Sequence, residues 1–200
     1  MTARLAGLTG ATLETAPGVC QSCIWWQTRG NREPDKARWA ERAEDDWGAW
    51  GTIYRDDDGR VLGSMQYGPA HLFPRAADLP AGPPSDDAVL VTCAYLVDPS
   101  TPWVMQSLFL SAIGEARDRR IKAIEAFGYR YQEGTAAQER FLVHRTVFPS
   151  DFLADFGFVT IRSDGRVELA GLVPVEDGLV ARTKRRFKEL LAPEPMPERY

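Results

Sequence analysis

The sequence predicts a single α/β domain with a mixed central sheet and helices on both faces. An almost unbroken apolar run at 88–97 is typical of a strand buried on both sides. Residues 102–119 follow with apolar side chains at helical spacing, and a second apolar strand is predicted at 123–127. A strand, a crossover helix and a strand in this order form a parallel βαβ unit at the centre of the sheet.

The elements before this unit are predicted from local patterns. Ala3 to Leu8 is predicted to be a short strand, followed by a helical piece around 11–15. Pro34 to Trp50 is predicted to be a helix, because a proline stands at its start and Gly48 near its end. The string GTIYRDDDGRVLGSMQYG predicts a hairpin, since Asp57, Asp58 and Gly59 interrupt two alternating segments.

The elements after the unit are a short helix, a second hairpin and a last helix. A helical turn is predicted at 150–155, and strands are predicted at 158–162 and 167–172 with a turn at 163–165 between them. An amphipathic helix with five basic residues is predicted over 175–191. We expect one domain over 1–192 and a disordered proline-rich tail at 193–200.

Composition restricts the function classes. The formal net charge of −4 argues against nucleic-acid binding by the whole surface. Three cysteines fit a reducing compartment better than a disulfide framework. We find no apolar run long enough to span a bilayer and no secretory signal at the N-terminus, so we expect a cytoplasmic protein without a membrane partner.

Three local strings resemble the GNAT (GCN5-related N-acetyltransferase) superfamily. The segment AYLVDPS is similar to the end of the family's fourth strand, and FLADFGFVTIR is similar to its short fourth helix and the strand beyond it. The segment RDDDGRVLGSMQYGP resembles its second and third strands. The likeness extends over about residues 3–172 and implies splayed parallel strands at 88–97 and 123–127.

The resemblance implies transfer of an acetyl or larger acyl group from a CoA thioester to an amine. It places backbone groups of Tyr95, Leu96 and Val97 against the pantetheine and the thioester carbonyl of acetyl-CoA or another acyl-CoA. The pyrophosphate would bind at the start of the next helix, where free amides and the helix dipole favour an anion. The corresponding residues are Trp103, Val104, Met105, Gln106 and Ser107.

Two features depart from the family pattern. The helix start lacks the family's glycines, and Pro102 removes one amide donor. The side chains of Trp103, Val104 and Met105 either fill the pyrophosphate space or turn inward as core. In the fourth helix, Leu153 stands where many family members have a tyrosine that protonates the leaving thiolate.

Two residues are candidates for the general base that an amine nucleophile requires. Glu125 alternates with apolar neighbours on the predicted strand, which would place it beside the cleft mouth. The alternative for Glu125 is a surface carboxylate. His144 is the second candidate, because neutral imidazole is available at pH 7; the alternative is a structural histidine.

The pair Cys20 and Cys23 invites a metal or redox interpretation. No second cysteine or histidine pair stands at ligand spacing, so we expect buried thiols beneath Trp25 and Trp26 and no metal. We expect the long loop Pro69–Asp87 to lie near the mouth of an acceptor site.

Two function classes therefore remain. One is an acyl-CoA-dependent N-acyltransferase acting on an amine of a small molecule or a protein. The other is a non-catalytic binding or regulatory module that has lost the cofactor. A homodimer is an open alternative to a monomer.

Overall fold

A computed structural model describes residues 4–29, 35–132 and 146–174, and these residues form one eight-stranded sheet with helices on both faces. The strands are β1 (Leu5–Gly7), β2 (Gly51–Arg55), β3 (Val61–Pro69), β4 (Ala88–Leu96), β5 (Ala123–Tyr129), β6 (Phe148–Pro149), β7 (Val159–Asp164) and β8 (Val167–Leu172). The α-helices are α1 (Gly18–Ser22), α2 (Lys36–Trp47), α3 (Pro102–Asp118) and α4 (Ser150–Asp155). Short 3-10 helices cover Gly10–Thr15, Ala70–Leu72 and Pro74–Asp78.

The strand order is β1-β2-β3-β4-β5-β8-β7, and β6 lies beside β5. The β4–β5 and β5–β6 pairs are parallel, and the other described pairs are antiparallel. The predicted fold class is confirmed, including the central parallel unit of β4, α3 and β5. The order of elements is the one that the GNAT resemblance implies.

Helix boundaries follow from capping. The Asp35 side chain accepts a hydrogen bond from the Ala37 N–H at 2.9 Å, which starts α2. Gly48, with φ of 94°, ends that helix in a conformation that other residues adopt only with strain. Gly157, with φ of 88°, follows α4 in the same way.

Each face of the sheet has its own core. The face covered by α3, called here the α3 face, buries α3 side chains such as Leu108 and Phe109 against Met65 and Val91. The opposite face, called the α2 face, is covered by α2, the N-terminal segment and the loop after β3. Its core is rich in aromatic residues and includes Trp26, Trp39, Trp50, Phe73 and Phe127.

The two parallel strands separate towards their carboxyl ends. β4 and β5 pair from Ala88–Ala123 to Val91–Ala126, after which β4 runs on to Leu96. Among the described residues, no strand pairs with this last part of β4 on its β5 side. Beyond the gap, β6 pairs with Gly128 and Tyr129 of β5. We call this opening the V; the splayed strands that the resemblance implies are therefore present.

A β-bulge in β4 sets which residues face the V. The register with β3 shifts between Gln66 and Tyr67, where the chain of β4 contains the extra residue Thr92. Val91 and Ala94 consequently lie in the core of the α3 face, whereas Cys93 packs against the core of the α2 face. The alternation of side chains changes phase at the bulge.

The loop between β3 and β4 starts and ends beside the paired part of β4 and β5. It leaves β3 at Pro69, which pairs with Val89 at the start of β4, so both of its ends lie at the closed end of the V. The loop is packed rather than open: Phe73 is fully buried, and Arg75 donates to the Trp25 carbonyl. The expectation that this loop lies near the mouth of an acceptor site stays a prediction.

The predicted helix at 175–191, the tail at 193–200 and His144 lie outside the described residues. Within the described part of the chain, no helix combines the length and apolarity needed to cross a membrane.

Candidate functional site

The V exposes backbone groups of β4. Gly63 and Leu96 face each other across β3 and β4, and the Val97 N–H donates to the Leu62 carbonyl at 2.9 Å. In an antiparallel ladder, bonded and non-bonded positions alternate, so Tyr95 and Val97 turn their backbone groups towards β3. Leu96 and Ala94 turn theirs towards the V. Of the three predicted pantetheine contacts, only Leu96 directs its amide into the opening.

Two tyrosine side chains flank the V. Tyr95 follows Cys93 by two residues on β4, and Tyr129 follows Phe127 by two residues on β5. Cys93 and Phe127 both belong to the α2 face, so the strand period of two places both tyrosine rings on that face. Both rings are half-buried. The α2 face of the V thus presents two phenol groups on opposite strands.

The start of α3 is a packed junction with one outward residue. Val104 and Met105 are buried in the core of the α3 face, with 0% and 4% exposure. Trp103 is 38% exposed and packs edge-on against Tyr54, with ring centroids 5.4 Å apart. Of the two roles left open by the sequence, Val104 and Met105 have the core role, and Trp103 alone projects outward.

The first turn of α3 keeps few amides for an anion. Pro102 has no N–H, and the Val104 N–H donates to the Thr101 carbonyl at 3.0 Å. The Ser107 hydroxyl donates to the Trp103 carbonyl at 2.9 Å, and Gln106 is half-buried. Thr101, the N-cap residue, makes no side-chain capping hydrogen bond, and Trp103 is the one position between Pro102 and Val104.

An ionised carboxylate stands beside this helix start. The Asp98 side chain accepts a hydrogen bond from the Ser100 N–H at 2.8 Å. Hydrogen bonds from Ser100, the side chain first and the backbone second, lower the pKa of Asp98. A negative charge here weakens the attraction of the helix dipole for a phosphate.

Glu125 lies one residue before the apex of the V and is not a surface carboxylate. It pairs with Leu90 in the β4–β5 ladder and is 1% exposed. Its two oxygens accept hydrogen bonds from the Ser85 N–H at 2.8 Å and the Ser85 hydroxyl at 2.6 Å. Glu125 was expected beside the cleft mouth, but it lies next to the apex, at the closed end of the V, and both of its oxygens accept hydrogen bonds from the loop before β4. The base role stays a prediction.

Leu153 of α4 is buried in the core of the α3 face, at 1% exposure. It contacts the same core as Phe109 and Phe156 and offers no proton to a leaving thiolate.

A buried polar cluster on the α2 face was not predicted. The Lys36 ammonium donates to Gln66 Oε1 at 3.0 Å, and Gln27 Nε2 donates to the same oxygen at 2.9 Å. Lys36 Nζ lies 4.3 Å from the ring centroid of Trp39 and 4.9 Å from that of Trp50. Burial lowers the pKa of Lys36 to about 8. The available signal was a lysine on the apolar stripe of a helix, three residues before Trp39.

Three cysteines that form no disulfide lie near this lysine. Cys20 accepts a hydrogen bond from the Ser64 hydroxyl at 3.5 Å, and burial raises the pKa of Cys93 to about 12. A thiol with such a pKa is a poor nucleophile at neutral pH. In the described part of the chain, no three Cys, His, Asp or Glu side chains are grouped to hold a metal ion.

The chain is similar to known proteins in structure but not in sequence. No protein-family model and no curated protein sequence matches the chain. Among solved structures, Ard1 from Thermoplasma volcanium is 11% identical, with a TM-score of 0.49 over 86% of this chain and 97% of that chain. Ribosomal-protein-alanine N-acetyltransferase from Brucella melitensis is 16% identical, with a TM-score of 0.47 over 84% and 96%. An N-acetyltransferase from Staphylococcus aureus Mu50 is 11% identical, with a TM-score of 0.47 over 86% and 98%.

Proposed function

We propose that this protein is a divergent GNAT-type N-acyltransferase, which transfers an acyl group from a CoA thioester to an amine of a small molecule or a protein. The observation that carries the proposal is the V. Two parallel strands separate after Val91 and Ala126, and β4 turns the Leu96 amide into the gap. A sheet that opens in this way exposes backbone donors without needing a polar side chain.

The chemistry follows from that amide. The thioester carbonyl would accept a hydrogen bond from the Leu96 N–H, and negative charge develops on its oxygen as the amine attacks. A backbone donor aimed at this oxygen stabilises the transition state, commonly by about 3 kcal/mol. The C–N bond then forms, the C–S bond breaks, and the CoA thiolate takes up a proton.

The amine would approach from the α2 face, because α3 covers the other face of the V. Tyr95 and Tyr129 stand on that side, and either hydroxyl is a candidate to protonate the leaving thiolate. Glu125 would need to release Ser85 before it accepted a proton from the amine. Acceptor specificity in this proposal resides in the elements that cover the α2 face, the loop after β3 among them.

A second candidate function is a non-catalytic module with the same fold. The observation that favours it is the start of α3, where Pro102 lacks a donor and the Asp98 carboxylate opposes an anion. Such a helix start would bind the pyrophosphate weakly. The two candidate functions therefore differ in one respect: an enzyme requires that the V alone bind acyl-CoA, whereas a non-catalytic module does not.

Release of the CoA thiol from acetyl-CoA tests the proposal. The purified protein is incubated with acetyl-CoA and a mixture of small amines and lysine peptides, and free thiol is measured against a no-amine control. Amine-dependent thiol release supports the enzyme. A folded protein that releases no thiol above the control, with acetyl-CoA and with a longer acyl-CoA, favours the non-catalytic module.

A further inference from the structure

A cavity of about 450 Å³ opens on the α2 face, away from the V. Gln27 and Trp39 line it, and Arg42, Asp46 and His71 also belong to its lining. The segment around His71 continues from the end of β3, which pairs with the start of β4. The cavity therefore lies towards the closed end of the β4–β5 pair.

A buried positive charge stands next to this cavity. Lys36 is 6% exposed, its ammonium lies over the Trp39 ring, and it shares the Gln66 acceptor with Gln27. No carboxylate among the residues that the structure describes lies within ion-pair distance of Lys36 Nζ. A buried ammonium without a counter-charge is costly unless an anion comes close to it.

Positive charge is also available at the exposed side of the cavity. Arg42 is exposed and forms no hydrogen bond or ion pair with another described residue. Asp46, the carboxylate in the lining, is held by His71 at 2.6 Å. Among the described residues at this cavity, the positive charges without a carboxylate partner are therefore Arg42 in the lining and Lys36 behind Gln27 and Trp39.

The surroundings of Lys36 are rich in donors. Trp50 Nε1 and Trp26 Nε1 are buried, and neither has an acceptor among the described residues. The Trp39 indole is already used, since it donates to the Leu72 carbonyl at 3.0 Å. Trp26 and Trp50 do not line the cavity, and a ligand there meets positive charge instead: an anion would offset the charge of Arg42 and Lys36, whereas a cation would add to it.

We propose that this cavity binds a small organic carboxylate with a planar or apolar body. The body would pack against Trp39 and Leu72, and the carboxylate would pair with Arg42 and lie in the positive field of Lys36. Gln27 lines the cavity and donates to the same Gln66 oxygen as Lys36, so its amide would lie between the bound carboxylate and the ammonium. None of the lining residues belongs to β4 or β5, so this proposal does not require acyl-CoA binding in the V.

The titratable groups near Lys36 define a pH signature. They are Cys93 of β4, with Cys20 and Cys23 from α1 and its C-terminal cap, while Asp46 and His71 face the cavity itself. An anion near Lys36 raises the pKa of its ammonium, so binding near pH 8 takes up protons. The Lys36→Met variant is expected to lose that uptake.

Benzoate and benzamide are a matched pair of probes, because they share a ring and differ in charge. Isothermal titration of the full chain is expected to give benzoate binding that is about tenfold or more tighter than benzamide binding. Arg42→Gln is expected to lower the affinity for benzoate about tenfold, and Lys36→Met is expected to lower it about threefold or more. Arg38→Gln is the control, since this exposed arginine of α2 carries the same charge outside the cavity lining.

Thermal unfolding verifies that each variant is folded before its titration is interpreted. The proposal is overturned if the folded wild type binds benzoate no better than benzamide. It is also overturned if Arg38→Gln and Arg42→Gln weaken benzoate binding equally, because the effect would then come from the overall positive charge of α2 and not from the cavity. Titration in two buffers of different ionisation enthalpy measures the proton uptake, which a purely surface interaction with Arg42 would lack.

Discussion

Both carboxylate oxygens of Glu125 accept hydrogen bonds from Ser85, one from the backbone and one from the hydroxyl. The contact joins β5 to the loop before β4, one residue from the apex of the V. Glu125 is buried and Ser85 is exposed, so the carboxylate stabilises the loop from inside the sheet. This arrangement makes Glu125 an anchor of the closed end of the V.

Removal of the carboxylate is expected to destabilise the fold. Glu125→Ala leaves the Ser85 N–H without its acceptor and should cost about 1–3 kcal/mol in the free energy of unfolding. Ser85→Ala removes only the hydroxyl bond and should cost about 1 kcal/mol. Urea denaturation measures both. Equal stability of Glu125→Ala and the wild type would show that the anchor is absent.

Truncation of Met105 should cost more stability than truncation of Trp103. Met105→Ala removes a buried side chain from the α3 face and is expected to cost about 2–5 kcal/mol. Trp103→Ala removes an exposed ring and should cost about 1 kcal/mol through the lost contact with Tyr54. Acyl-CoA affinity should stay the same or rise in Trp103→Ala, because space opens at the start of α3.

Thermal unfolding compares the stability of the two variants, and titration with acyl-CoA compares their affinity. A large stability loss in Trp103→Ala with little in Met105→Ala would mean that the start of α3 is packed the other way round. Loss of acyl-CoA binding in a folded Trp103→Ala variant would instead assign the ring to the cofactor site.

Lys36 is expected to make stability depend on pH in the alkaline range. Its pKa is about 8 in the folded protein, below the usual value of an unfolded lysine. The unfolded chain then binds more protons above pH 8, so the free energy of unfolding rises with pH until it levels off near about pH 10.4. Below pH 8, the buried charge opposes folding, with a penalty of about 3 kcal/mol.

Lys36→Met isolates this effect. Gln66 Oε1 keeps its hydrogen bond from Gln27, so the variant should be as stable as the wild type or more stable at pH 7. Urea denaturation at pH 7 and pH 9.5 gives the difference between the two proteins. A difference that does not change with pH would mean that Lys36 titrates at its ordinary pKa.

The sequence predicted most of the fold because hydrophobic periodicity and turn residues mark the elements. β4, α3, α4 and β8 begin and end within a residue or so of the predicted positions. The bulge at Thr92 was not predictable, because it depends on pairing with β3 and leaves no local signal. The packing of the loop after β3 was not predictable for a similar reason, since it depends on distant residues such as Trp25 and Thr28.

The candidate site was predictable only in part. The V was implied by family resemblance, and the sequence offered no means to decide which backbone groups of Tyr95, Leu96 and Val97 face it. Ladder alternation, which depends on register, selects Leu96. The polar cluster around Lys36 combines residues from α2, the N-terminal segment and β3, and no sequence spacing relates them.

The central claim is that the Leu96 amide in the V binds an acyl-CoA. Isothermal titration with acetyl-CoA compares the wild type with two variants at this residue. Leu96→Ala keeps the backbone N–H, whereas Leu96→Pro removes it. The lost N–H lies on the side of β4 that has no strand partner in the described chain, so the proline breaks no ladder hydrogen bond there. We predict that the wild type and Leu96→Ala bind alike, and that a folded Leu96→Pro binds about tenfold or more weakly. Failure of the folded wild type to bind acetyl-CoA at millimolar concentration, or unchanged binding by Leu96→Pro, would contradict the claim.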